Sequence, residues 1–371
     1  MRNFLITVLL AIGMHIGAQP SKTQNVIIIT MDGFRWREVF SGADSVLLNN
    51  KNLVKNTEDY KNRYWNSDPI VRRSILMPFL WETIAKEGQI YGNRRLGCNV
   101  NVSNPYWFSY PGYSEIFCGF ADKRINSNSY GPNPNVNVLE FINQTREFNG
   151  KVAAFTSWAA FPNILNKTRS GFLINSAFDK MSDTVSNPNF DLINKIQSQL
   201  PDVFYGVRLD ALTFNMGFEY LKEKRPRVLY LAFDETDDFA HDGKYDYYLN
   251  SANYTDGFIK ELWQWVQSQD DYKDKTTLLI TVDHGRGEGE PGWRNHGRTV
   301  NGQSSQTWFA VIGPDTPALG EMEGGQYYNS QYAQTLSSML GVNYVNERPL
   351  GAIIPRVTEN KLLFSQVRAE K

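Results

Sequence analysis

Four short apolar runs, each ending in polar residues with useful chemistry, constrain this chain more than anything else in it. Residues 26–31 (VIIITM) stop at Asp32-Gly33, and residues 152–156 (VAAFT) stop at Ser157-Trp158. Residues 228–233 run into an acidic cluster that begins at Asp234, and residues 277–282 run into Asp283-His284-Gly285. Continuous stretches rich in Val and Ile, without apolar–polar alternation, read as strands buried on both faces, the habit of parallel sheets. Between them lie stretches with helical spacing, over 76–87 and over 254–267, the second carrying Phe258, Leu262, Trp263 and Val266. Alternating strands and helices predict an α/β fold, a doubly wound and mostly parallel sheet flanked by helices. Ligands of such sheets bind beyond the carboxyl ends of the strands, which is where these Asp and His residues fall.

The chain is long enough, at 371 residues, for one large α/β core or two average domains. One catalytic domain over 19–371 is expected, with a small cap. Insertions are expected around 36–70 and 160–220, where no clean period shows, and 126–137 is a loop by composition. A formal net charge of -1 leaves no electrostatic footprint for a nucleic-acid duplex. The first eighteen residues have a basic start at Arg2, an apolar run over 4–16 and small residues Gly17-Ala18 before Gln19. That is the layout of a signal peptide cleaved after Ala18, so export to the periplasm or medium is expected. The run is too short to span a bilayer well and no second candidate follows, so no membrane span is expected. Cys98 and Cys118 leave two readings open. One is a disulfide closing a loop of about 20 residues for roughly 3 kcal/mol; the other is two buried thiols acting as small hydrophobes.

With His15 lost in the leader, three of the four histidines remain: His241, His284 and His296. Asp237 and His241 are one helical turn apart and share a face. Asp283 and His284 adjoin at a strand end, and Gly285 permits a sharp turn or a close approach there. His296-Gly297 follows after a loop rich in glycine, and Asp32 ends the first strand. Taken singly, Asp32-Gly33 is a turn, and Asp237 belongs to a solvated patch with Asp234, Glu235, Asp238 and Asp242. As a set, these carboxylates and imidazoles suffice for two divalent metal ions with open positions. Zinc suits them foremost, with manganese or iron as alternatives. In Ser109-Tyr110-Pro111-Gly112-Tyr113-Ser114-Glu115, Pro111 suits the first turn of a helix running to about Cys118. Ser109 then lies at the helix's positive end, where an alkoxide and a phosphoryl oxygen are favoured. A plain helix cap is the ordinary reading of such a serine. Ser114 falls inside the helix.

The ordered series Asp32, Ser109, Asp237/His241, Asp283/His284, His296 resembles the alkaline phosphatase superfamily, most closely its type I phosphodiesterase/nucleotide pyrophosphatase branch. The likeness runs from about residue 25 to about residue 345 and includes residues 309–313 and a helix over 332–340. It implies an alkaline phosphatase-like fold and a phosphoric ester hydrolase with Ser109 as nucleophile and a phosphoserine intermediate. It also implies one metal on Asp237, His241 and His296, and another on Asp32, Asp283, His284 and the Ser109 oxygen. Asn128 is implied as a phosphoryl ligand beside the Tyr110 amide, with Asn126 its rival. The branch usually reads Thr-Phe-Pro-Asn-His where this chain has Ser109-Tyr110-Pro111-Gly112-Tyr113. Sulfatases need an arginine at the place of Tyr113. Phosphoglycerate mutases of the superfamily are longer and cytoplasmic, and a non-catalytic relative would be expected to lose the nucleophile or a ligand. Related monoesterases carry basic side chains after the strand at 152–156, whereas this chain has Ser157-Trp158-Ala159-Ala160-Phe161. Trp158 and the rings near the nucleophile therefore favour a small phosphodiester or nucleotide-type substrate over a monoester. Against that, Arg286, Arg294 or Arg298 could supply the missing charge, and Arg286 is taken as a substrate contact with Tyr110 and Trp158. The sequence carries no signal for the oligomeric state.

Overall fold

The computed structural model of the chain describes residues 21–181, 187–300 and 302–358. The expected leader, 1–18, lies outside them. Its eight-stranded sheet has the order β10-β2-β9-β7-β1-β6-β4-β5. These are β1 (Asn25–Met31), β2 (Gln89–Tyr91), β4 (Val152–Thr156), β5 (Leu173–Ser176), β6 (Val228–Phe233), β7 (Thr276–Thr281), β9 (Phe309–Ile312) and β10 (Gly320–Glu321). A small second sheet joins β3 (Asn99–Asn101), β8 (Gln306–Thr307) and β11 (Gln326–Tyr328) in the order β11-β3-β8. The central strands β7, β1, β6, β4 and β5 pair in parallel, and β9 runs antiparallel to β7 and β2. The four apolar runs are β1, β4, β6 and β7, each buried along its whole length.

Both faces of this sheet are covered, which explains why the strands show no alternation. Ile27, Ile29, Leu229, Leu231, Leu278 and Ile280 point to one core with the helices Asp210–Lys224 and Tyr245–Gln267. Val26, Ile28, Val228, Tyr230 and Leu279 point to the other, with Ser109–Cys118, Val138–Gln144 and Tyr332–Met339. Adjacent residues of one strand thus serve opposite cores.

Several expectations change. The helical stretch expected over 76–87 runs over 78–87, with a wide π turn at Leu80–Ile84 continuing into Ala85–Glu87, and is separated at Met77 from a helix that ends at Leu76. Pro78 has no amide hydrogen to continue the first helix. The Asp256 carboxylate instead accepts the Phe79 and Leu80 N–H groups at 2.7 and 2.9 Å. Burial pushes the Asp256 carboxyl up to about 7. The helix expected from 254 starts at Tyr245. Within the region 160–220 the chain also supplies elements of the main sheet and its helical cover. It contributes edge strand β5, with its polar Asn175 and Ser176, and the first part of the Asp210–Lys224 helix. Of the two readings for the cysteines, the disulfide is not realised: Cys98 and Cys118 are buried free thiols. Each has its own neighbours, the Gly92 N–H at 3.4 Å for Cys98, and Ser114 Oγ and Asn133 Nδ2 at 3.8 and 3.7 Å for Cys118. Among the described residues, no helix is long and apolar enough to cross a membrane.

Candidate active site

Because β1, β6 and β7 are parallel neighbours, the residues that follow them emerge at one sheet edge. Asp32 leaves β1, and the helix Glu235–His241 after β6 carries Asp237 and His241 on one side. Asp283 and His284 leave β7. His284 Nε2 lies 3.3 Å from Asp32 Oδ1, 3.4 Å from Asp283 Oδ2, 3.7 Å from Asp237 Oδ1 and 3.3 Å from Ser109 Oγ. His296 Nε2 lies 3.0 Å from His241 Nε2 and 3.6 Å from Asp237 Oδ1, and His241 Nε2 is 3.1 Å from Asp237 Oδ2. All seven residues of the expected set converge. Their donor atoms form two compact groups, Asp32–Asp283–His284 and Asp237–His284–His296. His284 therefore sits between the two groups rather than in one alone, and His241 lies at the outer, exposed side.

The electrostatics of this cluster call for cations. Asp32 Oδ1 and Asp283 Oδ2 are buried without a hydrogen bond. Burial, with the Asp32 charge beside it, pushes the Asp283 carboxyl well above the usual range. Burial works against a charged His284, yet Asp283 and Asp32 outweigh it and take the imidazole up to about 9. Burial also opposes ionisation of Asp237, but the Arg286 guanidinium and the nearby imidazoles hold it well below the usual carboxylate range. Crowded carboxylates and imidazoles, partly without hydrogen-bond partners, match the oxygen and nitrogen donors that divalent ions take. His284 Nδ1 faces the Gly285 carbonyl at 3.0 Å. A carbonyl only accepts, so Nδ1 carries a proton; Nε2 is the nitrogen turned to the cluster, and it would offer a lone pair once a bound cation keeps the ring neutral. Asp32 is fixed by the Tyr113 hydroxyl, 2.9 Å from Oδ2, and its backbone carbonyl by Thr236 Oγ1 at 2.6 Å.

Ser109 is the first residue of the helix Ser109–Cys118, and it does not cap that helix. The capping position is Phe108, which offers no side-chain acceptor. The serine hydroxyl is thereby left free to face His284. Close approach of this helix to the ligands depends on Gly112: a Cβ there would stand 2.6 Å from the Asp283 carbonyl oxygen. Gly33 is a second such point, with φ +58° and a Cβ position 2.6 Å from Asp237 Oδ1. Gly112→Ala forces backbone apart beside Ser109, so destabilisation of about 1–3 kcal/mol is expected in denaturant titration. A drop in turnover larger than the stability loss accounts for should accompany it. Unchanged stability and turnover would show that the helix moves aside freely.

Asn128 Oδ1 accepts the Tyr110 N–H at 2.9 Å, which places this asparagine next to the residue that follows Ser109. The Tyr110 ring is buried, and its hydroxyl donates to the Gly131 carbonyl. Of this residue only the backbone amide is near the site, and Asn128 occupies it. Arg286 was expected to meet substrate, but it is 2% exposed and turned inward. Its guanidinium binds the Asp237 carboxylate and the Trp293 carbonyl, so it positions a candidate metal ligand instead. Trp158 follows β4 and packs edge-on against Phe161, with ring centroids 6.4 Å apart. It does not line the cleft beside Ser109, a space of about 790 Å³ bounded by Tyr106, Phe108, Lys123, Asn128, His296 and Arg298. Asn126 lines it too.

Sequence reasoning missed Glu115. This buried carboxylate of the Ser109–Cys118 helix accepts N–H groups of Ser103, Asn104 and Ser330 as well as the Ser103 hydroxyl and the Asn104 amide. Asn104 Oδ1 in turn accepts the Tyr106 and Trp107 N–H groups at 3.0 and 3.1 Å. Trp107 has φ +59°, a conformation a bulky side chain rarely adopts, two residues before Ser109. The Glu115 network over-determines that turn. Nothing local in the sequence marks it, since Glu115 looks like an ordinary helical residue.

The family model for type I phosphodiesterase/nucleotide pyrophosphatase matches residues 43–301, which include Ser109 and every expected ligand except Asp32. No curated protein matches the sequence. Among solved structures, the alkaline phosphatase PafA is similar with a TM-score of 0.59 and 11% identity, covering 92% of this chain and 100% of that one. A putative sulfatase from Bacteroides thetaiotaomicron has a TM-score of 0.60 at 12% identity, over 90% of this chain and 74% of its own. The lipoteichoic acid synthase LtaP from Listeria monocytogenes has a TM-score of 0.56 at 13% identity, over 94% of this chain and 80% of its own. At such identities these likenesses establish the alkaline phosphatase-like fold alone.

Proposed function

Because the chain belongs to the type I phosphodiesterase/nucleotide pyrophosphatase family and is a hydrolase, we propose that it cleaves small phosphodiester or nucleotide-type substrates through a phosphoserine on Ser109. The observation that carries this reading is the position of the Ser109 hydroxyl. It stands at the start of a helix, buried, uninvolved in capping, and 3.3 Å from His284 Nε2. The Ser109 oxygen forms a bond to phosphorus as the bond to the leaving oxygen breaks. Water then cleaves the seryl phosphate and restores the hydroxyl. Asp237, His241 and His296 would hold one divalent ion and Asp32, Asp283 and His284 a second, zinc foremost with manganese or iron as alternatives, and such ions would supply positive charge beside the Ser109 hydroxyl. Tyr113, Thr236 and Arg286 hold Asp32 and Asp237 in place for that task. Asn128, beside the Tyr110 amide, is placed to meet a phosphoryl oxygen that gains charge in the transition state. A free serine hydroxyl is too weak a nucleophile at neutral pH without such support.

A phosphomonoesterase is the second reading, favoured by Lys123 and Arg298 on the cleft wall. Comparing kcat/KM on an aryl phosphate and on the matching aryl phosphodiester separates the two. The diester should be preferred, and a large monoester preference that collapses in Arg298→Ala would reverse the choice. We also propose that the protein is exported after removal of residues 1–18. Ser21 and Thr23 are tied to Asp315, each at 2.7 Å from its carboxylate, so cleavage at 18 leaves these contacts intact. Mass spectrometry of the periplasmic or secreted protein should find an N-terminus near Gln19. Intact Met1 on a cytoplasmic protein would remove this proposal.

A further inference from the structure

The cleft beside Ser109 has walls whose chemistry the reacting centre does not use. Its lining includes two cations, Lys123 and Arg298, two rings, Tyr106 and Phe108, and no carboxylate. Both cations are exposed, and among the described residues neither forms an ion pair. They are nevertheless held by backbone. The Tyr106 hydroxyl donates to the Lys123 carbonyl, and the Tyr106 carbonyl accepts the Arg298 N–H at 3.1 Å. Tyr106 is itself tied through Asn104 to Glu115 of the nucleophile helix. One residue thus clamps both cation-bearing segments to the element that carries Ser109.

A volume of about 790 Å³ far exceeds what a phosphoryl group occupies and is typical of sites that enclose a whole small molecule. The non-reacting part of the substrate has room here. The Tyr106 and Phe108 rings, with centroids 5.8 Å apart and tilted by 41°, offer an apolar face to a flat moiety. A guanidinium and an ammonium without acidic partners suit a carboxylate, sulfate or phosphate.

We propose that Lys123 and Arg298 bind an anionic group on the non-reacting part of the substrate, whose body lies along Tyr106 and Phe108. The substrate class is then phosphate esters that bear a second negative charge away from the reacting phosphorus. This rests on Ser109 as the reacting centre, since the cleft meets that centre at Asn128 and His296.

Calorimetry on the metal-loaded protein tests it with phenylphosphonate and 4-carboxyphenylphosphonate, whose carbon–phosphorus bonds resist hydrolysis. The carboxylated ligand should bind roughly tenfold tighter at low salt, an advantage that shrinks as salt rises. In the Lys123→Ala/Arg298→Ala double variant the ratio should fall toward one. A phenylene bisphosphonate in the same series ranks a second phosphoryl group against the carboxylate, and tighter binding of either over phenylphosphonate supports the subsite. A ratio near one in the parent protein overturns the proposal, as does no measurable binding of any ligand or a ratio that survives in the double variant. Equal weakening of all ligands in the double variant also overturns it, because the cations would then serve the reacting phosphoryl group. Phosphonate binding needs no turnover, so ester hydrolysis by the same preparation judges the hydrolytic role separately.

Discussion

Ser109→Ala should leave a folded protein that no longer turns over phosphate esters. The hydroxyl contributes nothing to the helix cap, and among the described residues its one hydrogen-bond neighbour is His284. Alanine is well tolerated in the first helical turn, so the melting temperature should move by a couple of degrees at most. Turnover should fall on the order of a thousandfold or more, as expected when a nucleophile is removed from machinery that acts as a unit. Ser109→Thr keeps the hydroxyl and should retain part of the activity. Ser114 is the control: its Oγ faces Cys118 and Asn133 on the far side of the helix. An active Ser109→Ala protein together with a dead Ser114→Ala protein would place the nucleophile elsewhere.

Purified mature protein should hold close to two divalent ions per chain, and stripping them with a chelator should abolish hydrolysis. His284→Ala should have the largest effect of any single ligand change, because its Nε2 borders both donor groups and the Ser109 hydroxyl. Loss of bound metal by elemental analysis and loss of activity should go together. Stability should fall as well, since ions that bind only the folded state stabilise it by mass action. Asp283→Asn should behave similarly, whereas Asp242→Asn should matter little. Asp242 pairs with Lys244 at the surface, outside both donor groups. A fully active protein free of metal would end the two-ion reading, and equal effects at Asp242 and His284 would remove the assignment of His284.

Some of this protein was legible in its sequence because the signal was local. A buried parallel strand must be apolar along its length, so β1, β4, β6 and β7 announced themselves. Side chains at their carboxyl ends share one edge by topology, so Asp32, Asp237, Asp283 and His284 could be grouped before any coordinate was known. The short edge strand β5 escaped notice, because half of its four residues are polar and its pairing partners in β4 lie 20 residues away. The break at Met77 depended on Pro78 and on Asp256, a residue of a distant helix that accepts the Phe79 and Leu80 N–H groups.

Sequence by itself determined the strands, the catalytic edge and the residue types that meet there, since each follows from contiguous patterning. Tertiary structure alone decided where long side chains point and which segments lie together. Arg286 adjoins the ligands in sequence, yet packing sends it inward to Asp237 and Trp293. Cys98 and Cys118 share a spacing that permits a bridge, yet each is buried among its own neighbours. Glu115 reads as one more helical acid until Ser103, Asn104 and Ser330 close around it. Lys123 and Arg298 become neighbours of one cleft only through the hydrogen bonds of Tyr106. Such contacts depend on loop closure and burial across the whole fold, and no local pattern encodes them.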